Sequence, residues 1–114
     1  MIYHILPQAA YAAHNPAEPY RAESLATEGF IHCTGQPDLL IWVANRFYRG
    51  TSGPFVVLCI DEKRIPLDVR WEESDGKLFP HIYGPLDWDA VERVIDFPRS
   101  QNGTFLLPPD LSHE

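Results

Sequence analysis

Three histidines sit in separate strand-like, apolar settings: His4 in Ile2-Tyr3-His4-Ile5, His32 in Gly29-Phe30-Ile31-His32-Cys33-Thr34, and His81 in Phe79-Pro80-His81-Ile82-Tyr83-Gly84. A helix gathers histidines from one local stretch. Strands far apart in sequence gather them only by folding into sheets. An imidazole is costly to bury without a hydrogen-bond partner. In a cleft it serves as general base, metal ligand or sugar-hydroxyl contact. The chain is therefore expected to build a sheet-based body around a polar cleft.

With 114 residues the chain reads as a single domain spanning 1–114. A chain this size buries roughly two-thirds of the surface exposed when unfolded, enough for one core without disulfides. The formal charge of −7, from 9 basic and 16 acidic residues, argues against a protein that tracks a nucleic-acid backbone. A small anionic ligand held by a few local donors remains compatible with it. No stretch approaches the ~20 apolar residues of a membrane span, and the first residues lack the basic start and apolar run of a signal peptide. The expected location is the cytoplasm. Cys33 and Cys59 lie in apolar segments without a Cys-x-x-Cys pattern, and read as buried thiols on neighbouring strands. Cys33 beside His32 is no nucleophile–base pair on a regular strand, because adjacent side chains point to opposite faces.

The element order follows from periodicity and punctuation. Met1–Leu6 reads as a strand, and Pro7 to Pro16 as a loop with a turn of helix, Ala9–Ala13 having the helix propensity. A short helix over Arg21–Glu28 stops at Gly29, with Ala22, Leu25 and Ala26 as its core stripe. Phe30–Thr34 reads as a strand with Phe30, His32 and Thr34 on one face, and Ile31 and Cys33 on the other. The longest helix runs from Pro37 to about Arg49, with Leu39, Leu40, Val43, Ala44 and Phe47 at helical spacing. Phe55–Ile60 is the most apolar run and reads as a central buried strand. Val69–Glu73 follows, then a Ser74-Asp75-Gly76 turn and Phe79–Tyr83, which Pro80 is expected to confine to an edge or bulge. Ala90–Phe97 alternates as a strand. Asn102-Gly103 is a turn, Thr104–Leu107 is expected to close the sheet, and Pro108 onward is tail. Strand, helix, strand, helix, then mostly strands is an α+β pattern.

Simple motifs are missing. There is no Gly-x-Ser-x-Gly, no dinucleotide or phosphate-binding glycine loop, and no pair of metal ligands at local spacing. A metal site would need His4, His32, His81 and Glu72 to converge from separate strands. For each histidine alone the bland role is an imidazole satisfied by a backbone carbonyl. His81, between Pro80 and Tyr83, reads equally as a structural corner. His14 and His113 read as solvated, the three tryptophans, Tyr3 and Tyr83 as core aromatics, and Glu72-Glu73-Ser74-Asp75 as a solvated turn. Glu72 is the one carboxylate that reads as interior.

Larger blocks carry a resemblance. Ile2-Tyr3-His4, Glu23-Ser24-Leu25-Ala26, Glu28-Gly29-Phe30-Ile31-His32-Cys33-Thr34, Ala44-Asn45-Arg46-Phe47-Tyr48, Trp71-Glu72, Phe79-Pro80-His81-Ile82-Tyr83-Gly84 and Gly103-Thr104-Phe105 resemble the bacterial domain of unknown function 952. That family looks like a compact relative of the ADP-ribosyltransferase fold, with the RNA 2′-phosphotransferase branch as the nearest catalytic analogue. The resemblance implies two twisted, mostly antiparallel sheets around a cleft, with two main helices. It implies NAD as cofactor, His4 on the adenosine ribose, His32 on the nicotinamide side, and Thr34 at the floor. Glu72, His81 and Tyr83 complete the expected cleft lining. Three functions follow: NAD or nucleotide-ribose binding with ADP-ribosyl transfer by His32, His4 and Glu72; a non-catalytic binding domain on the same fold; or a metal-dependent small hydrolase using the three histidines and Glu72.

Overall fold

The computed structural model describes residues 1–111; His113 lies outside them. Two three-stranded antiparallel sheets form the body. The first is ordered β1 (Ile2–Pro7), β3 (Phe55–Ile60), β6 (Val91–Phe97), and the second β2 (Ile31–His32), β5 (Lys77–Tyr83), β4 (Asp68–Ser74). The helices are α1 (Gln8–Ala12), α2 (Glu23–Thr27) and α3 (Pro37–Phe47). The α+β class with two antiparallel sheets holds. In place of two main helices there is one, α3, and two single-turn pieces.

All six residues of β3 are buried, because both faces of its sheet are covered. On one face Tyr3, Ile5, Phe55, Val57, Ile95 and Phe97 pack against Leu40 and Ala44 of α3, with Phe105 and Leu111 closing the cluster. On the other face Ile2, Leu6, Val56, Leu58 and Ile60 meet Ile31, Cys33 and Ile82 of the second sheet. Apolar side chains fill the space between the sheets where the sequence led us to expect a cleft. Strands that alternate with a period of two bring their apolar rows together there, and water is excluded.

The hairpin of β4 and β5 turns at Asp75 (φ 54°) and Gly76 (φ 76°), two consecutive left-handed residues that suit the strand twist. Ser74 pairs with Lys77, and the register then runs to Asp68 opposite Tyr83. Contrary to expectation, the strand containing Pro80 is the middle one. Its carbonyl accepts the Cys33 N–H at 3.1 Å, but it has no N–H to return. The β2 ladder ends at this point, and the chain crosses to the first sheet: Tyr3 and Thr34 exchange two hydrogen bonds of 2.8 Å each. β2 thus joins the two sheets.

Other expectations are corrected. Thr104–Leu107 forms no regular strand: Phe105 makes an isolated antiparallel bridge with Arg99, and its own N–H (2.7 Å) and carbonyl (3.2 Å) go to the Asn45 side-chain amide. Past Pro108, Pro109–Leu111 forms a 3-10 turn that buries Leu111. The two cysteines are buried without a disulfide but face different clusters, Cys33 between the sheets and Cys59 under α3. Trp71 is 46 % exposed. His14 stacks on Trp88 with ring centroids 4.1 Å apart, so it belongs to an aromatic cluster with Tyr11 and Tyr20. No helix among the described residues is long and apolar enough to cross a membrane.

Candidate functional site

The alternation of β2 decides what the histidines share. Ile31 and Cys33 point into the inter-sheet core, so His32 points outward. His32 lies directly opposite His81 on β5, and His81 lies directly opposite Arg70 on β4. Opposed residues share a face. His32, His81 and Arg70 therefore form a row across the outer face of the second sheet, with Glu72, Tyr83 and Asp68 on the same face by strand alternation.

Each outer histidine is held by one carboxylate. His32 Nε2 donates to Glu28 at 2.8 Å, and His81 Nδ1 donates to Glu72 Oε1 at 2.9 Å. The Tyr83 hydroxyl donates to the same Glu72 oxygen. Bonds from Tyr83 and then His81 hold the Glu72 carboxyl below its ordinary range, and the Tyr83 phenol is raised by the same bond. Donation from Nδ1 leaves Nε2 as the lone-pair nitrogen of neutral His81. The rings of His32 and His81 meet edge to face at 5.2 Å, and Phe30 stacks on His81 at 4.1 Å. Arg70 lies 4.3 Å over the Tyr83 ring and bonds Asp68 at 2.6 Å, which with the bond it makes keeps the guanidinium charged. His81 is nearly covered, while His32, Arg70 and Glu72 are open to solvent.

His4 is elsewhere. It lies on the inward face of β1, with Ile2 and Leu6, behind β2. Its Nδ1 donates to the main-chain oxygen of His32 at 2.6 Å, and its Nε2 accepts the Tyr20 hydroxyl at 2.7 Å. Burial pushes its pKa down to about 4, against the opposing pull of the His32 carbonyl, so the ring is neutral. Burial likewise raises the Tyr20 phenol. Thr34 is buried at the bridge to Tyr3. The expected set thus separates into His32, His81, Glu72 and Tyr83 on the outer face, and His4 and Thr34 behind it. Glu72 is a surface carboxylate, not an interior one.

This separation also corrects the metal reading. Both nitrogens of His4 are committed to other partners, and among the described residues no three His, Cys, Asp or Glu side chains converge to hold an ion. Sequence reasoning missed Glu28, Phe30, Arg70 and Tyr20. The first was accessible as an i, i+4 partner of His32. Arg70 was accessible by counting the register outward from the Asp75-Gly76 turn. Tyr20 carried no signal, because only tertiary packing brings it to His4.

Concavities among the described residues lie away from this face. A groove of about 420 Å³ lies between residues 49–53 and 99–103. Its floor is Arg99, whose guanidinium donates to the carbonyls of Thr51, Gly53, Arg49 and Gly103 and covers Phe105 at 4.3 Å. The five donors of that fork are occupied by backbone, which marks it as a latch between loops. A smaller one of about 220 Å³ borders His14, Tyr20 and Trp88.

Comparison with known proteins agrees with the sequence blocks. Crystal structures of the protein CC0527 from Caulobacter crescentus, one of a double mutant, each superpose with a TM-score of 0.80 at 31% identity, covering 97% of this chain and 97% of that one. The solution structure of the same protein gives a TM-score of 0.78 at 29% identity, over 99% and 97% of the two chains. No curated protein matches the chain. Residues 5–94 match the family described as protein of unknown function (DUF952), and the chain belongs to that family.

Proposed function

We propose that the outer face of the second sheet binds a nucleotide through its ribose, with NAD as the cofactor and ADP-ribosyl transfer as the reaction. The observation that carries this reading is the convergence of His81 and Tyr83 on one oxygen of Glu72, beside the exposed ring of His32. Imidazole and carboxylate groups on a rigid sheet match the donor and acceptor pattern of sugar hydroxyls. The exposed Glu72 carboxylate is placed to stabilise the oxocarbenium-like centre that develops when a glycosidic bond breaks. His4 and Thr34 act as positioning residues, holding the main chain of β2 from behind. The likeness of the sequence blocks to the ADP-ribosyltransferase fold supports the same ligand class. Buried cysteines without a disulfide suit a cytoplasmic setting.

Titration of the protein with NAD, followed by histidine ring NMR, tests it. Selective shifts of His32 and His81, with His4 unmoved, are expected. The reading fails if no ring shifts up to millimolar NAD. A second reading, a binding domain without turnover, is favoured by Ile5 and Leu6 after His4: both are buried, so the backbone there offers no close approach to a cofactor. NAD turnover that is lost in His32→Ala rules it out.

A further inference from the structure

Two imidazoles at opposed positions on adjacent strands, each gripped by its own carboxylate through a single nitrogen, form an arrangement that ribose binding alone does not require. One histidine with a carboxylate suffices to contact a sugar. Two, with ring centroids 5.2 Å apart on one face, can move a proton in at one point and out at another. We propose that His32 and His81 form an acid–base couple for phosphoryl transfer at a ribose 2′-hydroxyl, acting on small ribonucleoside phosphodiesters, open or 2′,3′-cyclic. This rests on the reading that the face binds ribonucleotides.

The step balances without any further reactant. The neutral imidazole takes the 2′-hydroxyl proton as the O2′–P bond forms. The protonated imidazole gives its proton to the departing 5′-oxygen as the P–O5′ bond breaks. The couple exchanges protonation states, and the products are a 2′,3′-cyclic phosphate and an alcohol. In the second half, water replaces the alcohol, its proton goes to one imidazole, and the departing O2′ receives one from the other, giving a phosphomonoester.

The surroundings suit these roles. Glu28 and Glu72 each accept from one nitrogen and so fix the orientation of the ring, as a carboxylate does for the histidine of a catalytic triad. They leave Nδ1 of His32 and Nε2 of His81 for the substrate. Arg70, next in the row after His81, presents an exposed guanidinium to the non-bridging phosphate oxygens. Glu28, Asp68 and Glu72 also surround the row, Tyr83 flanks it, and the chain carries a net −7. A long polyanion is repelled by that charge, so the substrate is a mononucleotide or dinucleotide.

The test incubates the full chain with adenylyl-3′,5′-adenosine and with 2′,3′-cyclic AMP, and resolves products by phosphorus NMR. Conversion of both is expected, with losses of about a hundredfold or more in His32→Ala and in His81→Ala. Because His81 is covered, its variant is checked for folding by circular dichroism, while the exposed His32 supplies the variant that keeps the fold. The 2′-deoxy dinucleotide should shift the His32 and His81 ring signals without being cleaved. Ring shifts with no conversion of either ribonucleotide would overturn the couple and leave the ribose reading standing. No ring shifts with any of these nucleotides would overturn both.

Discussion

His4 bonds the backbone of His32, not its ring: His4 Nδ1 donates to the His32 main-chain oxygen at 2.6 Å, and the two side chains lie on opposite sides of β2. One histidine is thereby a buried strut, and the other is free to meet a ligand. The strut crosses from the first sheet to the second at the point where β2 leaves its ladder. Its other nitrogen is satisfied by Tyr20, so the ring is neutral and fully partnered.

That neutrality makes stability depend on pH. The His4 pKa is lowered from 6.5 to about 4, so between these values the unfolded chain binds the proton and the folded chain does not. Stability contributed by neutral His4 is present above the unfolded value and lost as pH falls, by about 3 kcal/mol near pH 4. Urea midpoints measured from pH 7.5 to 4.5 should show this fall. His4→Phe should be less stable at pH 7 by about 1–3 kcal/mol, because the His32 carbonyl and Tyr20 hydroxyl lose their partner. It should also lack this part of the pH slope. An unchanged slope in the variant would remove His4 as its source.

Glu72 and Tyr83 should titrate as a linked pair. The phenol is raised mainly by its bond to Glu72, so Glu72→Gln should bring the Tyr83 titration back toward the ordinary tyrosine value. Tyrosine ring NMR against pH separates Tyr83 from the other tyrosines. For Glu72 the sign is opposite: its folded carboxyl is lowered, so the pair stabilises above the ordinary carboxylate range and weakens as pH falls through the folded value. A Tyr83 titration that ignores the substitution would contradict the shared hydrogen bond.

The Arg99 latch predicts a stability change remote from the histidines. Lysine keeps the charge but has a single ammonium, which cannot span the carbonyls of Thr51, Gly53, Arg49 and Gly103. Arg99→Lys should lower stability by about 1 kcal/mol, since the loop carbonyls lose their charged donors and fall back on water. Thermal unfolding measures it, and a melting temperature equal to the parent's would show that the loops hold without the guanidinium.

Gly35 predicts a local change with an optical signal. A Cβ there would stand 2.6 Å from the Trp71 indole, so Gly35→Ala must push the ring aside. The Trp71 Nε1 bond to Glu62, 3.1 Å long, should break with it. We expect a loss of about 1–2 kcal/mol from the overpacking and a red shift in tryptophan fluorescence. An unshifted spectrum with unchanged stability would mean that the backbone, not the indole, gives way.

Much of this was legible in the chain itself. The apolar run Phe55–Ile60 announced a strand covered on both faces, and β3 is that strand. Leu40 and Ala44 at helical spacing marked the face that α3 buries. Asp75-Gly76 determined a tight hairpin, and with it which residue of β4 opposes which of β5. Alternation along Phe30–Thr34 separated His32 from Cys33. These features are local: they depend on side-chain period, turn chemistry and polarity over a few residues.

What the local pattern could not determine was which strands share a sheet and what faces what across the core. His4 has the same apolar flanks as His32, yet one is buried between sheets and the other open to solvent. That difference arises because β1 is covered on both faces, while the second sheet is covered on one only. Thr104–Leu107 has the composition of a strand, but it makes only a single bridge to Arg99, and the outward backbone groups of Phe105 meet the Asn45 amide, distant in sequence, instead of another strand. The sequence by itself determined most of the strands, the long helix, the Asp75-Gly76 turn and the α+β class. Only the tertiary structure decided that the histidines divide into one strut and one facing pair, because burial and partner choice depend on packing between segments that no local pattern connects.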